Sequence, residues 1–206
     1  CQSFTSCSPI SKHAPPKAAP APGGTAIGDA AQVVAEPLET LTTPPSGVRW
    51  TPHESALLPD TVIALATIPQ YGPRTNTETH ATGYERSTVG ALIAATQIAT
   101  RFGESPAQTA YVVGPGKDDA LARVRARADS GVSDHDAFAG FRILGQPTNQ
   151  QVLIDLLITR GAGFQPSACT LDLRWSENDW RIYAPTSDMC LSVQQAVSPS
   201  DRASYV

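Results

Sequence analysis

The sequence predicts an α+β domain: a curved antiparallel sheet wrapped around one long apolar helix, behind a disordered Pro/Ala-rich tether. Three observations lead there. The segment 86–105 repeats apolar residues at helical spacing, around nearly the whole helical circumference. From residue 138 the apolar period changes to two, the period of strands. Before residue 45 the chain is crowded with proline and alanine, a composition that favours extended, solvated backbone. The 206 residues then divide into a tether over 1–45, a domain over 46–190 and a tail over 191–206.

The tether carries Pro9, Pro15, Pro16, Pro20 and Pro22, then Pro37, Pro44 and Pro45. Asp29–Leu41 reads as a short helical piece within it. Its first residue is Cys1. Bacterial lipoproteins take that form when a signal peptide is removed and the new terminal cysteine is acylated. The expectation is lipidation at Cys1, with the domain held on the extracytoplasmic face of the cell membrane. Two or more acyl chains hold firmly, at about 0.8 kcal/mol per buried CH₂. The other readings of Cys1 are a cut in a longer chain, or a disulfide with Cys7.

The domain opens with residues 48–73. "TVIALATIP", residues 61–69, is β-branched enough for a strand, and Pro69 and Pro73 end it and favour an edge position. The main helix comes next, with Ser87 as N-cap and Gly103 just past its last turn. Leu92, Ala95, Ile98, Ala99 and Phe102 hold i, i+3, i+4 spacing. Ile93 and Ala94 widen the arc and leave Thr96, Gln97, Thr100 and Arg101 as the polar side. An arc so wide requires cover on most sides. After a Gly114-Pro115-Gly116 turn, residues 118–131 form a second helix, acidic at its start and stopped by Gly131. Its apolar stripe of Leu121, Val124 and Ala128 is narrow. Arg123 and Arg127 lie one turn apart and Arg125 points elsewhere, the pattern of a solvated face.

The strands follow. Phe141 and Ile143 alternate with Arg142, and Val152, Ile154, Leu156 and Ile158 share one side. Leu171, Leu173 and Trp175, a tight 176–179 connection, then Trp180 and Ile182 make a hairpin. The opposite face carries Arg142, Asp155, Asp172, Arg174 and Arg181, a cross-strand charge ladder worth roughly 0.2–1 kcal/mol per pair. Leu153 and Leu157 share that face. It is therefore half apolar and calls for a cover, either the segment 48–70 or another molecule, which makes Leu153 and Leu157 the candidate interface residues. Cys169 and Cys190 stand at the two outer ends of the hairpin excursion, close enough for a disulfide; the alternative is two buried thiols.

Several function classes are disfavoured. The net charge is −4 and the arginines form no single patch, so no nucleic-acid partner is expected. No apolar run is long enough for a membrane helix. His13, His53, His80 and His135 stand in tether or loop-like sequence, and no spacing among them or beside Glu78 matches a metal site. No catalytic motif is present, and Asp155 and Asp172 face neutralising arginines. No enzyme activity, cofactor or metal is expected.

One enclosed helix followed by an antiparallel meander is most simply solved as a cone of the cystatin or nuclear-transport-factor kind. "LLPDTVIALATIPQYGPRT" and "ATGYERSTVGALIAATQIATRF", with the late "LRWSENDWRIYAP", together resemble actinobacterial extracytoplasmic proteins of unassigned role, often encoded on integrative conjugative elements. The resemblance runs over roughly residues 48–186. It rests on Gly83-Tyr84, Gly90-Ala91-Leu92, Ala94-Ala95 and the Trp175…Trp180 pair. It implies a cone domain akin to TcpC-type conjugation proteins, although those usually cross the membrane with a helix whereas this sequence starts at Cys1. The functional expectation is a membrane-tethered binding or scaffold module engaging envelope protein partners, in the cell envelope or a conjugative transfer assembly. The alternative is a pocket-bearing cone that binds or converts a small apolar ligand.

Overall fold

The computed structural model describes residues 34–57, 62–129, 136–160, 165–194 and 196–206. Cys1, Cys7, His13 and His135 lie outside them, and with them the lipidation expectation. Residues 34–48 carry no helix. Pro37 bridges Thr148, and the Leu38 N–H donates to the Pro147 carbonyl at 2.9 Å. The described part of the helical piece expected over Asp29–Leu41 is thus extended. Pro37 has no N–H to give a helix, and the 147–149 turn supplies partners instead.

β1 (Arg49–Glu54) and β2 (Val62–Thr67) pair antiparallel in a ribbon of their own. β1 contains Pro52, which an edge strand tolerates. β3 (Thr75–Asn76) and β4 (Ala81–Thr82) make a second, shorter ribbon. α1 (Thr88–Arg101) starts where the Ser87 side chain accepts the Gly90 N–H at 3.1 Å. It stops at Gly103, whose φ of 92° an L side chain rarely adopts. Gly90 is needed inside the helix because a Cβ there would come within 2.0 Å of the Glu85 carbonyl. That carbonyl accepts the indole N–H of Trp180 at 2.8 Å.

α2 (Pro106–Thr109), β5 (Val112–Val113) and α3 (Lys117–Asp129) follow. Of α3 only Ala120 is buried, so its arginines form a solvated face as expected. β6 (Asp136–Leu144), β7 (Gln151–Arg160), β8 (Ser167–Ser176) and β9 (Asp179–Tyr183) are the meander. The sheet order is β5–β9–β8–β7–β6, antiparallel except for the short parallel β5–β9 pair. β10 (Ser192–Gln194) lies along Ala168–Thr170, so β8 is flanked by β10 over its first half and β9 over its second. α4 (Pro199–Arg202) closes the chain.

The fold is α+β, with mostly antiparallel sheets and few helices. α1 packs against β2, β7, β8 and β9. Ile93, Ala94, Ala95, Ile98, Ile154, Leu171, Leu173, Trp180 and Ile182 form the centre of the core. The polar side expected of α1 is also covered: Thr96, Gln97 and Arg101 are buried. The β1–β2 ribbon and β3 supply the cover. The Gln97 amide donates to the Ala66 carbonyl at 2.8 Å and Arg101 donates to Asn76 Oδ1 at 2.9 Å.

Candidate functional site

The cysteines are joined, Cys169 to Cys190, with Cα atoms 5.3 Å apart. The bond closes the excursion that contains the β8–β9 hairpin and ties the loop after it to the start of β8.

On the outer face of the sheet Leu157 is 5% exposed and Leu153 is half-buried. Leu157 packs with Ala168, Val197 and Tyr205. The cover over Leu157 is the chain's own last segment rather than residues 48–70. The Phe141 N–H donates to the Val206 carbonyl and the Val206 N–H donates back, which fixes that segment against β6. The candidate interface built on Leu157 is therefore occupied from within.

The ladder is real at one rung. Arg142 and Asp155 are register partners, 2.6 Å apart. Asp155 also accepts from the hydroxyls of Thr170 at 3.0 Å and Tyr205 at 2.7 Å. Burial, and then the bond to Asp155, pushes the Tyr205 phenol up to about 12. Asp172 is served by Gln151 and by Arg174 two residues along its own strand. Arg174 and Arg181 stand directly opposite each other across β8 and β9. Like charges so placed repel. They are separated by Asp172 and Glu177, and by stacking of Arg174 on Tyr183 and Arg181 on Tyr111.

Asp179, at the hairpin turn, is 5% exposed. It accepts from the backbone N–H groups of Gly83, Tyr84 and Trp180 at 2.8–3.0 Å. Burial and the neighbouring Asp179 charge raise the Tyr111 phenol to about 12 and lift Tyr84 well above its ordinary range. Burial lowers Arg101. His53, expected in a loop, is a buried β1 residue whose Nε2 lies 3.0 Å from Glu104. These carboxylates accept hydrogen bonds from their own chain, and Asp179 ties three backbone N–H groups to the hairpin turn. Among the described residues no three His, Cys, Asp or Glu side chains converge as metal ligands.

What remains available to other molecules is elsewhere. In the β1–β2 ribbon Trp50 faces Ala66, Pro52 faces Ala64 and Glu54 faces Val62, so these six share one side. Trp50 is 55% exposed and Val62 50%. Trp50 stands at the mouth of an apolar slot of about 260 Å³ between the ribbon and β6, floored by Leu92, Ile93 and Leu156 and flanked by Pro44 and Pro45. Neither β2 nor β6 is hydrogen-bonded to the other. The signal for this surface was the alternation of Trp50, Pro52 and Glu54, which is masked by a proline and only one large apolar residue.

Residues 11–204 match the model of a family described as a domain of unknown function (DUF8175). No curated protein and no solved structure matches the chain.

Proposed function

The chain belongs to the DUF8175 family, and from its own surface we propose that it is an extracytoplasmic binding module that engages envelope protein partners and performs no chemistry itself. The observation that carries this reading is Trp50, half-exposed beside an apolar slot. A tryptophan at the centre of a patch, next to a cavity that a partner side chain can fill, is the usual anchor of a protein interface. The Cys169–Cys190 disulfide supports an oxidising compartment, since such bonds persist outside the cytosol.

In this reading the ribbon and the main sheet are two walls of a cystatin-like cone about α1. Cys1 and its proline-rich spacer hold the cone at the membrane. The resemblance to proteins of conjugative elements makes a transfer assembly the natural setting, by analogy of fold rather than by a shared site. Intact mass of the native protein tests the anchor: a membrane-extracted chain with an unmodified Cys1 removes it.

Trp50→Ser is the test of the docking surface. It is expected to remove the envelope proteins that co-purify from detergent-solubilised membranes. The melting temperature is expected to shift by no more than about 2 °C, as for a surface change. If the same proteins co-purify with the variant, the surface is not the interface.

A further inference from the structure

Segment 197–206 is fixed at its two ends and exposed between them. Val197 is buried and its N–H donates to the Pro166 carbonyl at 2.8 Å. α4, which follows, has no buried residue. At the far end Val206 and Phe141 exchange both backbone hydrogen bonds, at 2.9 and 3.0 Å, as partners in an antiparallel ladder do. β6 is the last strand of its sheet, so this pair sits on an edge that can accept an added strand. We propose that Tyr205–Val206 is a latch standing in for a partner strand: it releases, and an extended segment of the partner takes its seat along β6. This inference rests on the docking reading, because Val206 is also a wall of the Trp50 slot.

The latch shows what its replacement must be. Its two side chains alternate across the edge: Val206 packs toward the main core and the slot, and Tyr205 packs on the outer face with Leu157. The Tyr205 hydroxyl donates to Asp155 at 2.7 Å, with Arg142 over its ring. An incoming strand therefore carries an apolar residue for the slot beside one with a hydroxyl for Asp155. Main-chain bonds to β6 supply affinity, and those two side chains supply selectivity. Gly140 marks the seat. A Cβ there would stand 3.2 Å from both the Tyr205 Cβ and the Val206 carbonyl oxygen, and a glycine inside a strand signals such a close approach.

Amide exchange of the full chain tests the release. The Phe141 and Val206 amides are expected to share one opening, about 100-fold more frequent than that of the β7–β8 ladder. Protection equal to the ladder's overturns the latch. The seat is probed with the capped peptide acetyl-Ala-Ser-Tyr-Val-amide, followed by the backbone resonances of Phe141 and Ile143. Tyr205→Ala unfastens the latch and leaves the seat, so it is expected to bind the peptide about tenfold more tightly than the wild type does. The same peptide with Phe for Tyr is expected to bind about tenfold more weakly, having lost its bond to a carboxylate. Gly140→Val is expected to abolish binding. Equal affinity of wild type and Tyr205→Ala, shifts that never saturate, or indifference to the peptide hydroxyl overturns the proposal, and each is readable without the Gly140 variant. None of these readouts uses a partner protein. A peptide that binds as expected while Trp50→Ser keeps its partners strikes the docking reading alone. A peptide that fails while Trp50→Ser loses its partners strikes the latch alone.

Discussion

Three donors converge on the Asp155 carboxylate: the Arg142 guanidinium and the hydroxyls of Thr170 and Tyr205. Asp155→Ala leaves all three without their acceptor at a site that is 4% exposed. It is expected to cost about 3 kcal/mol in urea denaturation, the scale of breaking a buried pair from one side. The same cluster sets a dependence on alkaline pH. The folded protein holds the Tyr205 proton up to about 12, against an ordinary value of 10.0. Between those two values the folded state binds more protons than the unfolded one, so stability is full below about 10 and falls as pH rises toward 12. Tyr111 titrates in the same window. Tyr205→Phe is expected to flatten the fall in part, leaving the shares of Tyr111 and Tyr84. An unchanged slope would place the Tyr205 hydroxyl in water.

Among the elements, the β8–β9 hairpin turns through Glu177 and Asn178, both with positive φ, 51° and 62°. Two successive left-handed residues define the turn whose twist matches paired strands, and Asn-Gly fits it best. Asn178→Gly, which keeps the Glu177 partner of the largely buried Arg181, is expected to raise stability by about 0.5 kcal/mol in urea denaturation. The disulfide spans 21 residues. Its removal by Cys169→Ser and Cys190→Ser is expected to cost about 3 kcal/mol, measured by thermal or urea unfolding against the oxidised protein.

Much at the element scale was legible in the sequence. α1 was announced by its cap, its stop and its spacing, and the hairpin by two alternating runs around a tight connection. The disulfide followed from where that hairpin put its ends. These signals are local. The burial of Thr96, Gln97 and Arg101 was not legible, because their cover comes from strands distant in sequence. His53 was not legible as a strand residue, because β1 interrupts its alternation with Pro52 and charged ends.

For the molecule as a whole, the sequence pointed to a half-apolar sheet face that needed a cover, but not to the cover itself. Residues 191–206 read as a C-terminal tail, since Val197, Tyr205 and Val206 are too sparse to show a period. The packing of Leu157 under them makes a definite forecast. Leu157→Asp places a carboxylate in an enclosed apolar contact and is expected to destabilise the isolated domain by about 3 kcal/mol or more. A variant that melts like the wild type would return Leu157 to the list of surface residues. The binding surfaces were the least legible, because a site made by leaving apolar residues uncovered has no sequence pattern of its own.

The wiring around Asp179 and Trp180 has a consequence in time. Their bonds to Gly83, Tyr84 and Glu85 join points 95 or 96 residues apart. α1 emerges from the ribosome long before the strands that bury it, and the last clasp on its leading end forms only when the hairpin has been made. Such distant pairings fold slowly, in milliseconds to seconds rather than microseconds. For most of its synthesis the polypeptide is an open thread with a greasy helix unclaimed. A secretion channel that accepts only unfolded chains would find it in a passable state, and a chain arrested before residue 180 should remain a ready substrate for proteases and holding chaperones.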